Sequence, residues 1–103
     1  MTSRLEILKQ LVAQNPADHF ARYGLAMEFV NAGELEQAIA EYQALLAMNP
    51  DYAAVYYPAA QALEKLGRLE EAREMYRRGI EVAARQGSPH ARDHLQAALD
   101  LLS

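Results

Sequence analysis

Apolar residues recur along this chain at helical spacing almost from end to end. Leu5, Leu8, Leu11 and Val12 fall on one side of a first helix, because positions three and four apart share a face. Leu25, Ala26 and Phe29 do the same in a second helix, while Phe20, Tyr23, Met27 and Val30 line another side of it. That second helix is apolar almost all round. No segment alternates with the period of a strand. The pattern predicts six helices, near 3–14, 18–31, 35–48, 52–66, 69–85 and 89–102, joined by short turns. Ser3 with Glu6 fits a capping box, and Ser88-Pro89 fits an N-cap followed by proline at the first helical position. Pro58 conflicts with its surroundings. Inside a helix it removes a backbone donor and crowds the carbonyl of Ala54 at a cost of about 3 kcal/mol, so a kink or a late helix start is expected there.

The punctuation returns every 34 residues. Gly33 recurs as Gly67, Ala38 as Ala72, Tyr42 as Tyr76, Tyr23 as Tyr57, Ala26 as Ala60, Leu35-Glu36 as Leu69-Glu70 and Asn15-Pro16 as Asn49-Pro50. A unit with one central glycine and one terminal proline divides into two helices, since both residues are poor inside a helix and good at its end. Each unit is therefore expected to be a helical hairpin. Ala26 against Ala38, and Ala60 against Ala72, are small enough for the paired helices to approach closely. Leu25, Phe29, Leu35, Tyr42, Leu45 and Leu46 then fill the space around the first contact. A lone hairpin cannot bury its apolar face, so the two terminal helices are expected to cover the ends, with Leu5, Leu8, Leu11 and Val12 buried together.

These residues resemble the tetratricopeptide repeat family, whose pattern is W-x2-L-G-x2-Y, then A-x3-F, then P. The first unit reads Arg22-x2-Leu25-Ala26-x2-Phe29, then Ala38-x3-Tyr42, then Pro50. The second reads Tyr56-x2-Ala59-Ala60-x2-Leu63, then Ala72-x3-Tyr76, with Ala84 in the place of the proline. Leu8, Leu11, Val12 and Pro16 stand where the second half of a preceding repeat would put them. The resemblance covers residues 3–86 and implies an all-α, right-handed array of antiparallel helical hairpins, a small α-solenoid. It implies a single domain over 1–103, made of a half-repeat helix 3–16, full repeats 19–52 and 53–86, and a capping helix 89–102. Arg22 for the aromatic, Ala84 for the proline and Pro58 within a helix depart from the pattern.

What the resemblance implies about function is non-catalytic protein recognition. The family commonly binds peptides in a concave groove lined by the first helix of each repeat, at the second, fifth, ninth and twelfth positions. Those positions are Phe20, Tyr23, Met27 and Val30, followed by Asn31, and then Ala54, Tyr57, Gln61 and Glu64. Tyr23 and Tyr57, equivalent in consecutive repeats, are expected to form an aromatic platform. One subclass grips acidic chaperone tails with a clamp of Lys and Asn. Tyr23, Met27 and Pro58 occupy three of those clamp places, which disfavours that ligand and suits an apolar or mixed peptide. An all-round apolar helix must be covered by something. The N-terminal helix, a second copy of the chain, or a partner in the groove can each serve, and a homodimer through this face is the main alternative function.

Composition narrows the picture further. The formal net charge of −4 argues against nucleic acid, whose binding needs a basic face. The excess lies early: residues 1–51 hold three Lys or Arg against seven Asp or Glu, and residues 52–103 hold seven of each. With no cysteine, disulfides and thiolate metal sites are excluded. No apolar run approaches membrane-spanning length, so the expectation is a cytoplasmic protein with no membrane, no cofactor and no bound metal. The pairs Glu74 with Arg78 and Glu81 with Arg85 are expected to decorate an outer face.

One constellation suggests chemistry. His90, Asp93 and His94 share a side of the last helix and are similar to the H-x-x-E-H arrangement of inverted zinc peptidases, with Asp for Glu. No further Glu ligand is identifiable, which leaves a metal-dependent hydrolase as a remote alternative and the two histidines as polar flank residues of a cap. No phosphate loop or nucleophile elbow is present. No catalytic residue is assigned.

Overall fold

The computed structural model describes residues 3–102, so Met1, Thr2 and Ser103 of the expected 1–103 domain lie outside the described residues. Six α-helices occupy it: α1 Arg4–Gln14, α2 His19–Asn31, α3 Leu35–Met48, α4 Tyr56–Lys65, α5 Leu69–Arg85 and α6 Pro89–Leu102. No strand occurs among the described residues. They form two compact units, Met1–Pro50 with α1 to α3 and Asp51–Ser103 with α4 to α6.

Local chemistry explains the boundaries. The Ser3 hydroxyl accepts a hydrogen bond from the Glu6 amide at 3.1 Å, and an Asp18 carboxylate oxygen accepts one from the Ala21 amide at 3.1 Å. Both residues are thus caps rather than helical positions, which moves the starts of α1 and α2 one residue later than expected. The hairpin turns are glycine-dependent. Gly33 and Gly67 have φ of 78° and 77°, a region where a side chain would crowd the backbone. After each, the chain doubles back through a bond to the third residue from the helix end, Glu34 amide to Phe29 carbonyl at 2.8 Å and Arg68 amide to Leu63 carbonyl at 2.9 Å, which satisfies carbonyls that the helix itself leaves open.

Pro58 resolves as a late start. Ala53–Val55 form a single 3-10 turn and α4 begins only at Tyr56. Pro58 therefore sits in the first turn, where its missing N–H would have had no intrahelical acceptor.

In the first unit α2 packs between α1 and α3. Ala26 and Ala38 are fully buried, together with Leu25, Phe29, Ile39, Tyr42, Leu45 and Leu46. The second unit repeats the arrangement: Ala60 and Ala72 are fully buried among Tyr56, Leu63, Met75 and Tyr76, and Leu95 closes the core from α6. The small pairs allow the close helix contact that the repeat requires.

Arg22, which replaces the expected aromatic, is compensated locally. Its guanidinium donates to Glu41 Oε1 at 2.9 Å and to the Pro16 carbonyl at 3.1 Å. Thirty-four residues on, Tyr56 and Met75 take the corresponding places as apolar neighbours. Leu45 corresponds to Gly79, where an added Cβ would lie 2.6 Å from Tyr56 Cβ. Bulk carried by the first helix in one unit is carried by the second helix in the other.

Two expectations need correction. None of the residues of α1 is fully buried. Leu5, Leu8 and Val12 are half-buried, but Leu11 is 45% exposed, because α1 packs on α2 along one side and Leu11 sits at the open edge of that contact. The expected pairs of α5 also differ: Arg77 rather than Arg78 reaches Glu74, at 3.6 Å, and Arg85 reaches Asp51 at 3.2 Å. The Arg78 guanidinium lies 5.5 Å from the Tyr56 ring centre, a cation–π contact that an exposed ion pair does not outweigh.

Candidate functional site

The candidate residues divide by unit and by environment. On α2, Phe20 is 85% exposed and Met27 45% exposed, Asn31 is exposed, and Tyr23 and Val30 are half-buried. The 3.6-residue turn puts Phe20, Tyr23 and Met27 on the side away from the buried Leu25 and Phe29, with Val30 at the edge of that side next to buried Ala26. Tyr23 is held from below, its ring edge-on to that of buried Tyr42 with centres 6.1 Å apart and planes at 65°, a favourable aromatic geometry. Burial first, and the neighbouring Tyr23 second, push the Tyr42 phenol up to about 12.

In the second unit the same positions serve different ends. Tyr57 is half-buried and its ring meets Tyr76 at 6.2 Å with planes at 58°. The opposite side of Tyr57 carries His94 of α6, with ring centres 4.3 Å apart and planes at 34°. Beside that stack lies an open apolar hollow of about 320 Å³, lined by Ala53, Ala54, Tyr57, Ala91, His94 and Leu95. Ala54 is exposed and belongs to the 3-10 turn rather than to α4.

Gln61 and Glu64 are drawn inward. The buried Tyr76 hydroxyl donates to Glu64 Oε2 and accepts from Gln61 Nε2, and Gln61 Nε2 also donates to Glu64 Oε2 at 3.1 Å. Burial and the bond to Glu64 raise the Tyr76 phenol above its ordinary value. The buried hydroxyl needs such partners, since an unsatisfied one costs about 1–3 kcal/mol. Met27 and Val30 stand at the equivalent places one repeat earlier and offer no acceptor. The α2 face is therefore apolar, and the α4 face is polar and internally committed.

His90, Asp93 and His94 do not come together as a ligand set. Among the described residues no group of three His, Cys, Asp or Glu side chains could hold a metal ion. The His94 ring stacks on Tyr57 and Asp93 accepts from Arg92 at 3.3 Å. Sequence reasoning missed the hollow entirely, because its far wall comes from α6, outside the 34-residue pattern. It also missed Ile7, 46% exposed, whose position just over half a turn from Leu5 and beside Leu11 was the available signal. No helix among the described residues is long and apolar enough to cross a membrane.

Comparison with known proteins bears on this geometry. A family model described as tetratricopeptide repeat matches residues 23–89. A TPR repeat-containing protein of Pseudomonas aeruginosa is 26% identical over 95 residues, covering 92% of this chain and 90% of that protein. The solution structure of a tetratricopeptide repeat domain protein from Salinibacter ruber superposes with a TM-score of 0.81 at 34% identity, covering 86% of this chain and 90% of that one. The crystal structure of PcrH in complex with the chaperone binding region of PopD superposes with a TM-score of 0.88 over 95% of this chain and 74% of that one. At 22% identity that likeness bears on the fold.

Proposed function

Because the chain belongs to the tetratricopeptide repeat family, whose fold is generally a non-catalytic protein-binding scaffold, we propose that it recognises a peptide or a partner protein through the outward side of α2 in the first unit and, separately, that of α4 in the second. The observation that carries the reading is Phe20, a large aromatic left 85% exposed on an ordered helix beside Met27 and above Tyr23. Aromatic side chains anchor interfaces because each buries a large area at low rotamer cost. Tyr23 and Tyr57 supply further aromatic surface, each braced by a buried tyrosine of its own unit. Asn31, Ala54, Gln61 and Glu64 complete the proposed contact set, with Gln61 and Glu64 acting mainly by holding Tyr76. The PcrH structure, solved with a segment of PopD, supports the reading by showing that a protein of this fold takes a polypeptide segment.

Peptides selected from a displayed library on the wild-type chain test this. Their capture should fall at least about tenfold, or roughly 1.4 kcal/mol, in Phe20→Ser and in Met27→Ser, with the helical circular dichroism signal unchanged. Folded variants that capture the same peptides equally well would remove the α2 side from the site. A wild-type dimer that both substitutions convert to a folded monomer would establish self-association instead.

A further inference from the structure

The open side of the first unit is wider than α2 alone. Three contacts fix how α1 lies on α2: Arg4 Nε to Glu28 Oε1 at 2.8 Å, Leu8 Cδ2 at 3.4 Å from the position a Cβ on Gly24 would take, and the Lys9 ammonium 5.7 Å from the centre of the Phe29 ring. Residue numbers in the first two pairs sum to 32, so the helices run antiparallel with Leu11 level with Phe20 and Ala21. Lys9 and Phe29 mark the side of this pair that leads to the core. Helical geometry then puts Ile7 and Leu11 on the opposite side of α1, next to Phe20 and Met27 on the opposite side of α2. All four are exposed, at 46%, 45%, 85% and 45%. Half-exposed Gly24 lies between them, with the Leu8 side chain packed over it from α1, so α1 and α2 approach closely along the floor of this seam.

Charge selects the occupant. Residues 1–50 hold three cations, Arg4, Lys9 and Arg22, against six carboxylates, Glu6, Asp18, Glu28, Glu34, Glu36 and Glu41. Each of the three cations is already in an ion pair within the unit, with Glu28, Glu6 and Glu41 respectively. Asp18 stands at the start of α2 and makes that end of the seam acidic, while at the other end Arg4 is matched by Glu28. A second copy would bring the same excess of negative charge against itself, which disfavours self-pairing, whereas a basic partner is attracted to it.

We propose that the seam between α1 and α2 seats an amphipathic helix of a partner protein, its apolar stripe on Ile7, Leu11, Phe20 and Met27 and its polar flanks basic. This rests on the protein-recognition reading above and specifies the ligand as a helix lying along the seam. An apolar helical stripe matches an elongated apolar strip better than single side chains in a pocket do.

Two synthetic amphipathic peptides of about 14 residues, one of leucine and lysine and one of leucine and glutamate, match the ~20 Å of α2 at 1.5 Å per residue. Each is titrated into the isotopically labelled full chain at physiological salt. The proposal expects the leucine–lysine peptide to bind at least tenfold tighter than its glutamate counterpart, to move the amide signals of 7–11 and 20–27, and to lose at least tenfold affinity in Leu11→Ser. Ile7→Ser provides a second variant should the first fail to fold. Equal binding of both peptides, binding unaffected by Leu11→Ser or Ile7→Ser, or no binding at all would overturn the proposal. Loss of binding in Phe20→Ser but not in Leu11→Ser would refute the seam and leave the α2 recognition reading standing. Loss in neither would remove both.

Discussion

Two glycines sit inside helices, Gly24 in α2 and Gly79 in α5, and exchanging each for alanine should move stability in opposite directions. A glycine inside a helix costs about 1 kcal/mol relative to alanine, so each exchange starts from that gain. At Gly24 the new methyl would meet only Leu8, with Cδ2 at 3.4 Å and Cδ1 at 3.8 Å, ordinary packing distances, and the gain should survive at about 0.5–1 kcal/mol. At Gly79 it would lie 2.6 Å from Tyr56 Cβ and 3.1 Å from both Tyr56 Cγ and Leu95 Cδ1. The Tyr56 Cβ is tied directly to the backbone of α4 and cannot rotate away, so α4 and α5 must separate. Overpacking of this kind costs about 1–3 kcal/mol, which offsets the propensity gain and leaves Gly79→Ala destabilised by a net of up to roughly 2 kcal/mol. Urea titration followed by circular dichroism reads both values, and each 1 kcal/mol corresponds to about 4–8 °C in Tm for a domain of this size. A Gly79→Ala variant stabilised as much as Gly24→Ala would refute the claim that this glycine exists for helix approach. A destabilised Gly24→Ala would refute the packing assigned to α1.

Other outcomes follow from the same contacts. Arg22 and Glu41 are only 14% and 20% exposed in their side chains, and Arg22 Nε is buried without an acceptor among the described residues. Replacing either residue alone by an apolar one should cost about 1–3 kcal/mol in denaturant titration, whereas Arg22→Met with Glu41→Leu should recover most of it. Tyr76→Phe should cost about 1 kcal/mol and release the Gln61 and Glu64 side chains, seen as new mobility in their nuclear magnetic resonance signals. The Tyr42 phenol, raised from 10.0 to about 12, favours the folded state only while protonated. Its contribution is complete below pH 10 and is lost as pH rises through about 12, so Tyr42→Phe should flatten the alkaline decline of Tm.

Much of this molecule was legible along the chain. The bounds of α3, α5 and α6 follow from glycine, proline and apolar spacing alone, because a helix end is decided by a few adjacent residues. The alanine pairs were legible for the same reason, since only a small residue suits a close crossing and the period showed which ones meet. What stayed hidden depends on partners far apart in sequence. Gln61 and Glu64 occupy positions that resemble groove residues, yet the Tyr76 hydroxyl fifteen and twelve residues later takes up their polar atoms. His94 shares a side of the last helix with His90, a spacing that fits a polar flank and only remotely a metal site, and neither reading foretold the ring of Tyr57 as its neighbour. Leu11 matched a buried stripe by period. The degree of its burial is set by how much of α1 the rest of the unit covers, and periodicity carries no record of that.

The most direct test of the central claim is to map where a selected peptide touches the wild-type chain, using amide and methyl chemical-shift changes across a titration. Recognition through the first helix of each hairpin predicts that the largest changes fall on Phe20, Tyr23, Met27 and Val30 of α2, and in the second unit on Tyr57, while the exposed sides of α3 and α5 stay still. Changes concentrated instead on α3 around Glu36, Ala40 and Gln43, or on α5 around Glu70, Glu74 and Arg77, would contradict it and move recognition to the second helix of each hairpin.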